Sequence, residues 1–198
     1  MRYIACILVL IFISCKNETK AKSDIETETQ ANLETQTNSE NGIDTSAYEM
    51  WNNYVASHPE FKDDEIPGTE YFHTNKEDAD RLAALTVNRK KKASSGLLSL
   101  YKQYKVELPK VGTKQIITDF DGKAKAIIEN ISVDTIPFNE ISKEYAQFDM
   151  GTDIEPLEKW KKAHWDFFEN FLKESETKPT EEMLIVCVEF KTIWPESH

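Results

Sequence analysis

Four consecutive cations, Arg89-Lys90-Lys91-Lys92, run through Ala93 into two hydroxyls, Ser94 and Ser95, and then Gly96. Two roles are open to such a run. As a solvated charge cluster it would oppose the negative end of the helix before it. As a ligand-facing loop it would offer amines and hydroxyls to a polar molecule. Other chemistries are excluded by residue type and spacing. The histidines, His58, His73, His164 and His198, show no metal-binding spacing. The cysteines, Cys6, Cys15 and Cys187, cannot form paired zinc ligands. No metal site and no cofactor is expected, because phosphate-loop, dinucleotide and nucleophile-elbow patterns are absent. Cys187 sits in an apolar run and reads as an inert core thiol. His164 lies on an apolar helical stripe and reads as a core histidine.

Cys15 carries a different chemistry. Residues 1–14 hold Arg2, an apolar run of about ten residues and Ser14, which is the anatomy of a secretory signal peptide. That run is too short to span a bilayer, which needs roughly 20 apolar residues. Ile11-Phe12-Ile13-Ser14-Cys15 resembles a lipobox, so Cys15 is the expected lipidation site. Several acyl chains together anchor stably. Lys16 and Asn17 are not an inner-membrane retention signal, so a lipid anchor in the outer membrane of a bacterial envelope is expected. Residues 15–45 are then a tether. They are rich in Thr, Glu, Asn and Gln, and cannot bury enough apolar area to offset chain entropy. A coil of this length would reach roughly 30 Å.

The 198 residues leave room for one folded domain, residues 46–198, of α+β class. Ser46-Ala47-Tyr48-Glu49 and Thr74-Asn75-Lys76-Glu77 both have capping-box form, and each predicts a helix start. Gln115 to Phe120 reads as a strand, Asp121-Gly122 as a hairpin turn, and Lys123 to Val133 as the returning strand. Pro156 suits the first turn of a helix whose stripe is Leu157, Trp160, His164, Phe167, Phe168 and Phe171. Leu184 to Phe190 is apolar almost throughout and predicts an interior strand.

The domain resembles the ASCH family, whose fold is a small mixed β-barrel, related to the PUA domain and flanked by helices. The resemblance rests on Lys76 to Asp80, Lys90 to Leu98, Leu108 to Gly112, Thr118 to Gly122, Ile136 to Glu140, Trp160 with His164 to Phe168, and Val186-Cys187, in that order. The family motif at the basic run is G-x-K-x-x-T. One bacterial member removes the acetyl group of N4-acetylcytidine with a Lys, a Thr and a Glu. The resemblance implies Lys91, Ser94 and Asp149 as the catalytic set, with Arg89, Ser94 and Asp149 departing from the family's Gly, Thr and Glu. A hydroxyl needs a neighbouring base to become a nucleophile, and a desolvated lysine can be that base. Lys90, Lys92, Ser95 and Tyr101 complete the expected ligand-binding set.

The expected partner is a small nucleoside-like or acylated amide ligand. From Ser46 onward the chain holds 20 basic and 28 acidic residues, which disfavours a long nucleic acid. Binding with hydrolysis ranks first. The alternatives are a non-catalytic nucleotide- or RNA-binding module and an envelope interaction protein. Oligomeric state is left open.

Overall fold

Asp44, one turn before the first apolar stripe, opens the first helix. Its carboxylate accepts the Ser46 backbone N–H at 2.9 Å and caps α1, Thr45–Ser57. The sequence points to Ser46 as the cap. Asp is an equally good one, and Ser46 is released to accept the Ala124 N–H through its hydroxyl at 2.9 Å. The structure, a computed structural model, describes residues 42–173 and 176–196. The expected signal peptide, Cys15 and residues 15–41 of the tether lie outside the described residues.

β3, Lys114–Thr118, and β4, Ala124–Pro137, form the expected hairpin. Its turn closes through Asp119 N–H to the Lys123 carbonyl at 2.9 Å, with Gly122 at φ 83°. The doublets Ile116-Ile117 and Ile127-Ile128 look continuous because both sheet faces are covered. Ile116 and Ile127 pair across the strands beneath Trp51 and Tyr54 of α1. Ile117, Ala126 and Ile128 face Ala83 of α2, Lys76–Val87. α2 is capped by Asn75, which accepts from Asp78 N–H at 2.9 Å, so this cap lies one residue after the expected Thr74, as Asp44 lies two before Ser46. The start of α2 is stapled to the hairpin turn: Asp80 accepts from Phe120 N–H at 3.0 Å and Lys76 pairs with Asp121.

The sheet has five strands in the order β1-β3-β4-β5-β2. β1, Thr69–Glu70, is parallel to β3; β2, Ala93–Leu97, is antiparallel to β5, Leu184–Trp194. β5 is therefore interior, as its apolar run predicts. Ser94 and Ser95 belong to the edge strand β2. The short α3, Leu98–Tyr104, has too few turns to leave a periodic signal and is not anticipated. α4, Lys143–Met150, and α5, Pro156–Leu172, cover β2 and β5 with Phe138, Trp160 and Phe168 at the centre. Truncating one of these buried aromatics to alanine costs about 3–5 kcal/mol.

Candidate functional site

The end of α2 aims the site. Arg89 N–H donates to the Thr86 carbonyl at 3.0 Å and Lys90 N–H to the Leu85 carbonyl at 2.9 Å, the two bonds of a Schellman cap. That cap needs a left-handed residue, and Arg89 supplies it at φ 56°. The glycine that the resemblance implies here is thus replaced without losing the turn, at a backbone cost of about 1–2 kcal/mol. The chain leaves the cap extended, so side chains alternate: Lys91 turns inward and is 4% exposed, while Lys90 and Lys92 face solvent.

Asp149 comes from the last turn of α4. Ser142 caps that helix at one end, accepting from Tyr145 N–H at 3.1 Å. Gly151 ends it at φ 64°. A Cβ on Gly151 would lie 3.2 Å from Leu85 Cδ1 and 3.3 Å from Lys91 N, so only glycine lets α4 approach the basic run this closely.

The two segments meet in a buried cluster. Lys91 Nζ donates to Asp149 Oδ1 at 2.5 Å and to the Asp149 carbonyl at 2.9 Å. Asp149 Oδ2 accepts from Ser95 Oγ at 2.5 Å and from Trp160 Nε1 at 2.9 Å, with His164 Nε2 at 3.3 Å. Burial opposes the charge on Asp149, but Lys91 first and His164 next, by charge and hydrogen bonding, hold the carboxyl well below the usual range. His164 Nδ1 donates to the Trp160 carbonyl at 3.0 Å, and the ring stacks on Trp160 with centroids 4.3 Å apart. Nε2 donates to Asp149 only when the ring carries both protons.

A cavity of about 600 Å³ opens over this cluster, with Lys91, Ser94, Ser95, Asp149 and His164 in its wall. Phe72, Phe167 and Phe171 form its apolar side, and Lys91 Nζ lies 4.8 Å from the centre of the Phe72 ring. The cavity can hold a small molecule between an aromatic side and a charged floor.

The sequence profile of the ASCH domain matches residues 69–194. The chain belongs to the ASCH domain family. The crystal structure of an ASCH domain from Lactobacillus crispatus is similar to it, with 29% identity and a TM-score of 0.70, covering 76% of this chain and 96% of that one. Protein EF3133 from Enterococcus faecalis is also similar, with 27% identity and a TM-score of 0.67 over 77% and 97% of the two chains. No curated protein sequence matches. The α+β, PUA-like fold expected for an ASCH domain is the one observed.

The structure brings together Lys91, Asp149, Ser94 and Ser95 of the expected set. It places the others elsewhere. Lys90 and Lys92 line a separate groove, because strand alternation turns them away from Lys91. Tyr101 packs over Gly96, where a Cβ would come within 2.7 Å of its ring, and does not line the cavity. Burial pushes its phenol up to about 12. Lys91 makes no hydrogen bond to Ser94, whose Oγ has no partner among the described residues; Tyr145 hydroxyl donates to the Ser94 carbonyl at 2.6 Å. His164 is a cavity residue, 16% exposed, and not an isolated core histidine. Its sequence signal is the i,i+4 spacing from Trp160, which sets Nδ1 on the Trp160 carbonyl. Trp160 itself is core, yet its indole N–H holds Asp149. Among the described residues no group of His, Cys, Asp and Glu is arranged to hold a metal, and no helix is long and apolar enough to cross a membrane.

Proposed function

We propose that this ASCH domain binds, and hydrolyses, a small nucleoside-like ligand bearing an acylated amide. The observation that carries the reading is the unengaged Ser94 hydroxyl in the wall of a cavity whose floor is a buried lysine–carboxylate pair. In this reading Lys91, having released a proton to solvent, takes the Ser94 hydroxyl proton as Ser94 attacks the acyl carbon, and passes it to the amine nitrogen as the C–N bond breaks. Water then cleaves the acyl–serine ester to a carboxylic acid, and Asp149 is the fixed charge that keeps Lys91 in place. Asp149 is not the acid, since its partners keep it ionised. The aromatic side suits a planar base. Membrane attachment belongs to the same proposal and rests on the leader alone: Cys15 is lipidated, and the tether, which ends before Ile43 packs on the domain and Asp44 caps α1, holds the domain off a bacterial envelope membrane.

Incubation of the chain with N4-acetylcytidine tests the chemistry. Release of cytidine that disappears in Ser94→Ala and Lys91→Ala supports it, and no turnover by the wild type refutes it for this substrate. A second reading, binding without catalysis, is favoured by one observation: Lys91 directs its donors to Asp149 and none to Ser94. Absence of turnover together with a nucleoside-dependent rise in melting temperature would select it.

A further inference from the structure

The strand alternation that buries Lys91 leaves a second basic feature on the opposite side of the same segment. Arg89, Lys90 and Lys92 line a groove of about 520 Å³ whose floor is Gln147, Phe148 and Thr152. Asp153 is the one carboxylate among the lining residues, and none of the three cations makes an ion pair among the described residues. This stands out in a domain where acids outnumber bases 28 to 20 from Ser46 onward. The ordinary explanation, that such cations cap helix ends, holds for Arg89, which donates to the Val87 carbonyl at 3.5 Å, but fails for Lys90 and Lys92 on inspection of the remaining carbonyls. The Leu85 and Thr86 carbonyls of α2 are taken by backbone N–H groups of residues 89–91. At the end of α4, the Gln147 carbonyl is taken by Gly151 N–H at 2.9 Å and the Phe148 carbonyl by Lys92 N–H at 2.8 Å. The ammonium donors of Lys90 and Lys92, and the guanidinium N–H groups that Arg89 does not spend on Val87 and Pro195, are left for something outside the chain.

The donors are also held in position. Arg89 guanidinium donates to the Pro195 carbonyl at 2.6 Å, fixing it at one end of the groove. Lys92 Nζ sits over Phe148, 5.4 Å from the ring centre. Thr152 hydroxyl oxygen accepts from Ile154 N–H at 3.3 Å, so its proton is free to donate, and the Gln147 amide has no partner among the described residues. Three cations with two neutral donors exceed what one carboxylate can accept and match the oxygens of a phosphate.

We propose that this groove binds a phosphate monoester, separately from the cavity over Lys91, with the phosphate among Arg89, Lys90 and Lys92 and an attached ring against Phe148. The proposal does not depend on the hydrolase reading. Soluble nucleotides and phosphorylated lipid headgroups both present this chemistry.

The test titrates the full chain with inorganic phosphate, cytidine, cytidine 5′-monophosphate and vesicles of phosphatidylcholine with or without phosphatidic acid. Calorimetry or co-sedimentation measures affinity, and backbone amide shifts locate the site. Binding of the monophosphate, but not of cytidine, at residues 89–92 and 147–154 supports a soluble ligand. Binding confined to the vesicles with phosphatidic acid supports a lipid headgroup. Lys90→Gln with Lys92→Gln should weaken either by about tenfold or more, and Lys92→Arg, which keeps the charge, should retain it. Equal affinity for cytidine and its monophosphate overturns the proposal. So do shifts confined to Ser94 and His164, or an affinity unchanged in the double variant.

Discussion

Lys91 Nζ and Asp149 Oδ1 lie 2.5 Å apart with their side chains 4% and 3% exposed, so each is the other's principal compensation for lost water. Replacing either side alone is not symmetrical. Asp149→Ala strands an ammonium in the interior and should cost about 3–5 kcal/mol. Lys91→Met leaves the carboxylate with Ser95, Trp160 and His164, and should cost less. The double variant, measured by urea unfolding, should lose less than the sum of the singles. Strict additivity would mean that the pair does not interact.

The same carboxyl makes stability depend on acid. Its pKa in the folded protein is below the ordinary value of 3.8, so its contribution is present in full above that value. It is lost as pH falls from there towards the folded pKa. Urea midpoints should drop progressively as pH falls below about 4 in the wild type, and the part due to this group should vanish in Asp149→Asn. An identical drop in both proteins would move the acid sensitivity elsewhere.

Cys187 gives a chemical check on the interior. It is 3% exposed, and burial, ahead of the nearby carboxylates, pushes its thiol up to about 12. Iodoacetamide at pH 8 should label it only after unfolding, as read by peptide mapping. Fast labelling of the native chain would show that β5 opens.

For the hydrolytic reading, Ser94→Thr supplies the threonine that the family resemblance implies at this position and should keep or raise turnover of N4-acetylcytidine. Ser94→Ala and Lys91→Ala should each abolish it, and their combination should be no worse than the poorer single variant. Multiplicative losses would mean that the two residues act in separate steps.

Gly151→Ala should destabilise by about 1–2 kcal/mol, since it places a Cβ at φ 64° against the Lys91 backbone. Thermal unfolding reads this. An unchanged melting temperature would show that α4 can withdraw from the basic run.

Much of this was legible in the residue order, for reasons that can be named. The hairpin, the interior strand β5 and the stripe of α5 depend on local periodicity and turn chemistry, which a chain displays directly. Helix caps lie two residues early at Asp44 and one residue late at Asn75 because neighbouring Asp, Ser, Thr and Asn compete as caps with nearly equal strength. His164 was misread because a stripe shows which side of a helix is apolar, and not where the stripe meets a cavity. Lys90 and Lys92 were grouped with Lys91 by proximity in sequence, whereas the extended chain after the Schellman cap sends them the other way. Tyr101 lies on a helix too short to reveal its face. The Asp149 partnership joins residues 58 apart and leaves no local trace.

The two-sided cover of the hairpin bears on how the protein can be cut. The ASCH profile begins at residue 69, yet Ile116 and Ile127 lie under Trp51 and Tyr54 of α1, which ends at Ser57. A fragment trimmed to the profile would carry a bare isoleucine pair on the outer face of a hairpin, an invitation to self-association. The smallest soluble unit therefore starts no later than Asp44.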